Sequence, residues 1–397
     1  NNSKSQINNS KSLYNKIIVT RGKHGCNYQG INYPTTEVPV KDVSGAGDTF
    51  LEGSNYIGRN LRDGVKGATI NAVASSMPEL FIALFFLFFL KDVVGFSGGL
   101  GTSFGSVLFN SLIIPSAAIL GVLSKTNKKS VSVSRKIILR DGFWLLFVEF
   151  MLIYFIQQGE ISWIESSVLI TIYVLYVMYL FKTMSGGDSI NYEEPFTDKE
   201  KVSFLSAFII LDLKRIMIGN KKLNTNKAWL IFVVSSLVIG FVCYFLVIAC
   251  EWLGSETYTI FNQDFNGLGI PLLFVALIFA AVGSSFPDTI ISFKDAQNGN
   301  YDDAISNAYG SNIFNLSVAL GVPLFFFTLL YGPIILSDNI VDMITSLSIW
   351  FIGLTAVSIY FYTRPEGVTK KHSYLLISTY FIFIVYVFWS ASNSAPF

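Results

Sequence analysis

Charge is what this sequence has least of: only 14% of its 397 residues are Asp, Glu, Lys or Arg, against about 25% in an ordinary soluble domain. The 28 basic and 27 acidic residues leave a formal net charge of +1, so there is neither the basic surface that a nucleic-acid partner requires nor an acidic tail. Histidine occurs twice, at His24 and His372, and cysteine three times, at Cys26, Cys243 and Cys250, with no C-x-x-C pair. Those spacings exclude a zinc ribbon and a disulfide framework. No signal-peptide pattern opens the chain. Its first residue is Asn rather than Met, and the natural N-terminus is expected to have been lost or processed. No EF-hand pattern occurs in the stretch from 184 to 227, so a dedicated calcium sensor is not expected there.

Apolar surface is abundant instead, with 52% hydrophobic and 15% aromatic residues. From about residue 67 onward the chain alternates between apolar stretches near the ~20 residues that a helix needs to cross a bilayer and short polar connections. Nine such stretches are legible, at 67–90, 95–123, 137–157, 163–183, 228–253, 270–293, 305–331, 343–362 and 374–390. Lysine and arginine gather in alternate connections: Arg59, Arg62 and Lys66; Lys125, Lys128, Lys129, Arg135 and Lys136; Lys214, Arg215, Lys221, Lys222 and Lys227; and Arg364, Lys370 and Lys371. The intervening ones hold Glu160, or Glu251, Glu256 and Asp264, or Asp338 and Asp342. By the positive-inside rule the N-terminal segment is cytoplasmic and the C-terminus outside. Residues 1–16 are polar and repetitive and are expected to be disordered. Residues 17–50 form short β-like runs punctuated by glycine and Pro34.

An internal repeat carries the chemistry. The first copy reads Ala72-Val73-Ala74-Ser75-Ser76-Met77-Pro78-Glu79, followed by Gly105-Ser106-Val107-Leu108-Phe109-Asn110; the second reads Ala281-Val282-Gly283-Ser284-Ser285-Phe286-Pro287-Asp288, followed by Gly310-Ser311-Asn312-Ile313-Phe314-Asn315. An ionised carboxylate inside a bilayer is retained where it faces a cavity or a partner. Two at equivalent positions call for a cation. Calcium takes six to eight oxygen ligands, and two carboxylates balance its charge. Ser75 and Glu79, Ser106 and Asn110, Ser284 and Asp288, and Ser311 and Asn315 are each four apart, so each pair shares one helix face. Pro78 and Pro287 lack an amide hydrogen, which predicts bent helices with the carbonyls of Ala74 and Gly283 freed for an ion. The other acids near the membrane, Asp141, Glu149, Asp212 and Asp342, read as helix-end groups or local salt-bridge partners.

On these two motifs the chain resembles the sodium/calcium exchanger family of the calcium/cation antiporters over about residues 51–397. The resemblance implies an all-α membrane protein with an inverted-repeat antiporter fold, in which one pocket is lined by Ser75, Ser76, Glu79, Ser106 and Asn110 from the first repeat and Ser284, Ser285, Asp288, Ser311 and Asn315 from the second. It also implies that the carbonyls of Ala72 and Ala281 take part in sodium coordination. The cargo would be Ca²⁺ and Na⁺, the partner the lipid bilayer, and the place a bacterial inner (plasma) membrane, with no cofactor and no catalytic residue. Many prokaryotic members carry Glu where Asp288 stands. The potassium-dependent branch typically has Asp where Asn315 stands, so the amide points to potassium independence.

A second resemblance lies upstream. IIVTRGKHGCNYQG followed by DVSGAGDTF, within residues 17–50, is similar to the ribokinase-type carbohydrate kinases, particularly heptose-phosphate kinases. That likeness implies a phosphate turn at Gly45, Ala46 and Gly47 and a base at Asp48, both vestigial because the rest of a kinase has no counterpart. The expected organisation is therefore a polar segment (1–16), a kinase-like fragment (17–50) with a seam at Phe50-Leu51, a truncated first exchanger repeat (51–183), a cytoplasmic loop (184–227) and a second repeat (228–397). Two five-helix repeats would hold ten helices. With nine counted, the first exchanger helix is expected to be missing. The functional alternatives are Ca²⁺/H⁺ antiport, a sugar kinase, and an inert chimera; oligomeric state leaves no mark on the sequence.

Overall fold

The computed structural model describes residues 18–20, 26–28, 31–33, 45–57, 72–126, 128–183, 213–219, 223–297 and 301–393. Residues 1–16, the side chains of Gly45 to Asp48, Asp212 and most of the 184–227 connection lie outside the described part. The chain divides into two compact units, Asn1–Val43 and Ser44–Phe397.

In the first unit β1 (Ile18–Thr20), β2 (Cys26–Tyr28) and β3 (Ile31–Tyr33) form an antiparallel meander in the order β1-β2-β3. These strands fall within the β-like runs expected there.

The second unit is helical. It opens with α1 (Gly45–Ile57), which carries the GAGDTF motif across the anticipated seam at Phe50-Leu51 without interruption. The expected seam thus falls inside one continuous helix. This helix packs along the start of the long α9 (Thr225–Gly254). Phe50 stacks on Phe232 with ring centroids 4.5 Å apart, and Gly53 brings the backbone close to Ala228 and Ile231. Glu52 is ion-paired to Lys214 on the short α8 (Leu213–Met217).

All nine apolar stretches are built of helix over their described residues, apart from Ile270-Pro271 and single-residue breaks at Ser76, Ser285 and Leu320. The first is broken into α2 (Ala72–Ser75) and α3 (Met77–Phe85), the latter running on as a π turn over Phe86–Leu90. Ser76, with φ −97° and ψ 11°, sits at the break, one residue after α2 and two before the proline that cannot continue its hydrogen bonding. The next span is α4 (Asp92–Leu108), a π turn Phe109–Ile113, and α5 (Ile114–Lys125). Two long helices follow, α6 (Arg135–Gln157) and α7 (Trp163–Thr183).

The second half repeats the plan after α9. A broken span is built from α10 (Leu272–Val275), a π turn Ala276–Ala280, α11 (Ala281–Ser284) and α12 (Phe286–Gln297), with its break at Ser285. Then come α13 (Tyr301–Phe314), a π turn Asn315–Ala319, α14 (Gly321–Tyr331), α15 (Asp338–Tyr362) and α16 (Lys370–Asn393). Among the described residues six helices are long and apolar enough to cross a membrane. The spans Asp92–Lys125 and Ile305–Tyr331 are largely enclosed by the others, whereas Trp163–Thr183, Thr225–Gly254 and Lys370–Ser392 expose most of their surface.

The halves interlock at their broken spans. Helix α4 of the first half lies against α10, the π turn and α11 of the second, while α13 of the second lies against α2 of the first. Glycine makes the first of these contacts possible: a Cβ on Gly105 would stand 1.9 Å from the Leu277 carbonyl oxygen, and one on Gly101 2.3 Å from that of Leu273. Small residues at such crossings let backbones approach within van der Waals range. Short strands β4 (Glu160–Ile161) and β7 (Ile334–Ile335) tie together the α6–α7 and α14–α15 connections. Between α9 and α10 stands a hairpin of β5 (Thr257–Ile260) and β6 (Gln263–Asn266).

Candidate cation site

Both breaks place a carboxylate in the first turn of a new helix: Glu79 is the third residue of α3, and Asp288 the third of α12. A helix N-terminus carries unsatisfied amides and a partial positive charge, so each acid stands where negative charge is favoured. Both side chains are fully enclosed, as are Ser75, Ser76, Ser106, Asn110, Ser284, Ser285, Ser311 and Asn315.

The serines bridge the two halves in a matched pair of contacts. Ser75 and Ser311 are 3.0 Å apart, oxygen to oxygen, and Ser106 and Ser284 3.1 Å. Close packing at Gly105 sets the second contact, because it also brings Ser106 to within 3.5 Å of the Ala281 carbonyl. The Ala72 and Ala281 carbonyls each accept from a nearby serine as well, from Ser75 at 3.2 Å and from Ser284 at 3.1 Å.

The carboxylates are held differently. Asp288 accepts from the Asn110 amide at 2.9 Å, from the Ser311 hydroxyl at 2.9 Å and from the Asn307 amide at 3.5 Å. Among the described residues Glu79 accepts one long bond, from Ser285 at 3.4 Å, on Oε1, with the Ser284 and Ser106 hydroxyls also near its carboxyl. Among the described residues its Oε2 has no hydrogen-bond partner, nor have Ser76 Oγ, Asn110 Oδ1, Asn307 Oδ1 and both polar atoms of Asn315. Leaving a buried polar atom unsatisfied costs about 1–3 kcal/mol. Five such oxygens around two buried carboxylates match the donor set of a hard cation, which takes oxygen from carboxylates, amides and hydroxyls. Among the described residues no group of three or more His, Cys, Asp or Glu side chains could hold a metal. A cation here would have two acids and neutral oxygens to draw on.

Ser75, Ser106, Asn110, Ser284, Ser285 and Ser311 of the motifs are thus linked to one another or to the two acids; Asn307 joins them from outside the motifs, and Asn312 from a motif position not singled out in the sequence. Asn307 is one turn before Ser311 on α13 and reaches Asp288. Asn312 crosses to the first half, donating to Ser111 Oγ at 2.8 Å and to the Val107 carbonyl at 3.1 Å.

The remaining acids divide. Asp141 is a salt-bridge partner as expected, taking two bonds from Arg140 at 2.6 and 2.9 Å, with Tyr176 and Ser306 completing its shell at 3.2 and 3.1 Å. Asp342 is exposed near the start of α15. Glu149 departs from expectation: it lies in the middle of α6, fully buried, and accepts a 2.7 Å bond from Thr355 of α15. No salt bridge reaches it among the described residues.

Comparison with known proteins agrees with this architecture. The family model described as sodium/calcium exchanger protein matches residues 43–182 and 227–389, so the match takes in α1 and its Gly45–Phe50 motif. Sodium/potassium/calcium exchanger 3 of Homo sapiens is 36% identical over 121 residues, 30% of this chain and 17% of its own length; the chain matches less than a fifth of that relative. Sodium/potassium/calcium exchanger 5 of Homo sapiens is 26% identical over 326 residues, covering 67% of this chain and 63% of that one. The uncharacterised membrane protein MJ0091 of Methanocaldococcus jannaschii is 25% identical over 282 residues, 69% of this chain and 75% of its own. Among solved structures the H⁺/Ca²⁺ exchanger CAX superposes with a TM-score of 0.55 at 15% identity, covering 88% of this chain and 85% of that one. The sodium-calcium exchanger NCX_Mj gives a TM-score of 0.51 at 17% identity over 86% and 94%. At such identity the likeness concerns the fold. With its apolar helices, its interlocked halves and the extent of the family match, this multi-pass membrane protein belongs to the sodium/calcium exchanger protein family.

Proposed function

We propose that the chain is an antiporter that exchanges Na⁺ for Ca²⁺ at the site between its two halves. The observation that carries this reading is the set of partnerless buried oxygens, Glu79 Oε2, Ser76 Oγ, Asn110 Oδ1, Asn307 Oδ1 and Asn315 Oδ1, arranged around two carboxylates that come one from each half. Glu79 and Asp288 together balance one Ca²⁺. When Ca²⁺ leaves, two buried negative charges remain in a low-dielectric site and must be neutralised again, which makes occupation by sodium the complement of calcium release. The two ions compete for the same oxygens, and that competition couples their movements. Asp288, already held by three donors, acts as the fixed wall; Glu79, nearly free of donors, is the ligand that adjusts to the ion. Inverted halves around a central site permit alternating access by movement of one helix group against the rest.

Potassium independence follows from Asn315, whose neutral amide leaves the site with two carboxylates rather than three. The two human relatives with potassium in their names match this chain only partially.

Ca²⁺/H⁺ exchange is the second reading, supported by the superposition on the H⁺/Ca²⁺ exchanger CAX and by the chemistry of buried carboxylates, which carry protons as readily as metal. The deciding experiment is Ca²⁺ accumulation in proteoliposomes under an outward Na⁺ gradient at equal pH, against an outward proton gradient without Na⁺. Accumulation under the first condition alone upholds sodium exchange; accumulation under the second alone replaces it.

The GAGD motif also has a reading within the exchanger. Helix α1 is continuous from Gly45 to Ile57 and is packed on α9, which gives Gly45 to Phe50 a place in the exchanger body.

A further inference from the structure

The hairpin between α9 and α10 has two chemically distinct faces. Its register pairs Tyr258 with Phe265 and Ile260 with Gln263 on one side, and Thr257 with Asn266 and Thr259 with Asp264 on the other. Strand side chains alternate between faces, so one face is mostly apolar and the other polar, with Thr259 bonded to Asp264 at 2.7 Å. The turn residues Phe261 and Asn262 both have positive φ, 50° and 62°, the backbone of a type I′ hairpin turn. Asparagine tolerates that conformation; phenylalanine does so rarely. Phe261 is also 97% exposed, so among the described residues no packing compensates for either its strain or its apolar surface.

The hairpin does not flop free of the helix that precedes it. Leu268 N–H donates to the Leu253 carbonyl at 2.7 Å, Gly267 N–H to Glu256 at 3.0 Å and Ile270 N–H to Gly254 at 3.1 Å, which stitches the base of the hairpin to the end of α9. Trp252 of α9 stacks on Tyr258 with centroids 5.6 Å apart and planes within 3°, and Tyr258 stacks on Phe265 at 5.7 Å. Trp252 itself continues the exposed stripe Leu237, Phe241 and Phe245 along α9, spaced for one helix face. The apolar face of the hairpin is therefore an extension of the lipid-facing stripe of a membrane-spanning helix.

We propose that this hairpin is an interfacial anchor that lays Tyr258, Phe265 and the Phe261 tip among the lipid headgroups at the end of α9. Aromatic side chains are enriched at that depth, where an apolar ring and a polar surrounding are both accommodated. The segment from 228 to 293 contains no Lys or Arg, while Glu251, Glu256 and Asp264 are present and exposed. Attraction to anionic lipid thus plays no part, and a zwitterionic surface suffices. The polar face, with Thr259 and Asp264, remains toward water.

The test uses Phe261→Cys and, on the opposite face, Thr259→Cys. Each is labelled with bimane in the full chain, reconstituted into phosphatidylcholine nanodiscs with or without headgroup-level nitroxide lipid. The parent chain, labelled identically, supplies the background from Cys26, Cys243 and Cys250. The anchor predicts that the label at 261 loses most of its emission to nitroxide lipid and little to aqueous iodide, with the reverse at 259. A label at 261 quenched by iodide and untouched by nitroxide lipid overturns the proposal, because the tip then stands in water. A label shielded from both quenchers overturns it equally, since the tip is then covered by protein.

Discussion

The amide of Asn110, in the first half, donates to Asp288 Oδ2, in the second, at 2.9 Å, while its own carbonyl oxygen has no partner. One side chain thus orients an acid of the other half and offers a free ligand to the space between them. Replacing it by alanine removes both contributions. Losing a hydrogen bond to a buried charged group costs about 1–3 kcal/mol, and each ~1.4 kcal/mol is tenfold in affinity. Asn110→Ala is expected to raise the Ca²⁺ concentration for half-maximal uptake by about five- to a hundredfold, with the purified protein still monodisperse. Saturation curves of ⁴⁵Ca²⁺ uptake measure it.

Gly105 tests the interlock rather than the ligands. A Cβ there meets the Leu277 carbonyl at 1.9 Å and the Ala281 methyl at 2.5 Å, so alanine must push α4 off the second half. Overpacking of this kind costs typically about 1–3 kcal/mol. Gly353 is the control, a mid-helix glycine of α15 with nothing within 4 Å of a Cβ, where alanine is favoured by up to about 1 kcal/mol. Thermal unfolding in detergent is expected to show a lower midpoint for Gly105→Ala and an unchanged or higher one for Gly353→Ala.

Glu149 and Thr355 form a buried pair that, among the described residues, has no hydrogen bond to Glu79 or Asp288. Thr355→Val leaves the carboxyl without its donor, at a cost of about 1–3 kcal/mol; Glu149→Gln keeps an acceptor for the threonine hydroxyl and removes a buried acid. Thermal stability is expected to fall in the first and hold in the second. Sodium-driven Ca²⁺ uptake per folded molecule is expected to persist in Glu149→Gln, which separates this acid from Glu79 and Asp288.

Asn315 is enclosed with both amide atoms unpartnered. Asn315→Asp adds a third carboxylate, so a site holding Ca²⁺ keeps one uncompensated negative charge. Uptake by this variant is expected to rise when K⁺ is added on the Ca²⁺ side, whereas uptake by the parent is expected to be indifferent to K⁺.

The repeat made most of the site legible, because Ser75, Ser106, Ser284 and Ser311 and the paired acids and amides recur at one spacing in both copies. Asn307 escaped because its counterpart in the first copy is Thr102, which turns back to the Gly98 carbonyl at 3.0 Å instead of reaching an acid. Its position did carry a signal: 307, 311 and 315 are successive fourth residues along α13 and into the π turn that follows it. Asn312 faces the other way and has Val107 at the equivalent place, so comparison of the copies passes over it too. The unequal treatment of the acids, three donors on Asp288 and one on Glu79, depends on how α3 and α12 are set against α13 and α4. Spacing along one chain does not encode that. Glu149 was misread for a similar reason: its partner is 206 residues away in α15. The stretch Gly45–Phe50 is ambiguous in sequence because a short glycine-rich motif fits both a phosphate turn and the first turns of a packed helix; in the structure it opens a helix that packs on α9.

The account rests on Glu79 and Asp288 serving one cation site, and ⁴⁵Ca²⁺ uptake into Na⁺-loaded proteoliposomes tests it most directly, with the parent, Glu79→Gln and Asp288→Asn side by side. The prediction is uptake by the parent that requires the outward Na⁺ gradient and is abolished by either substitution in protein that remains folded. Undiminished sodium-driven uptake in either variant would contradict it.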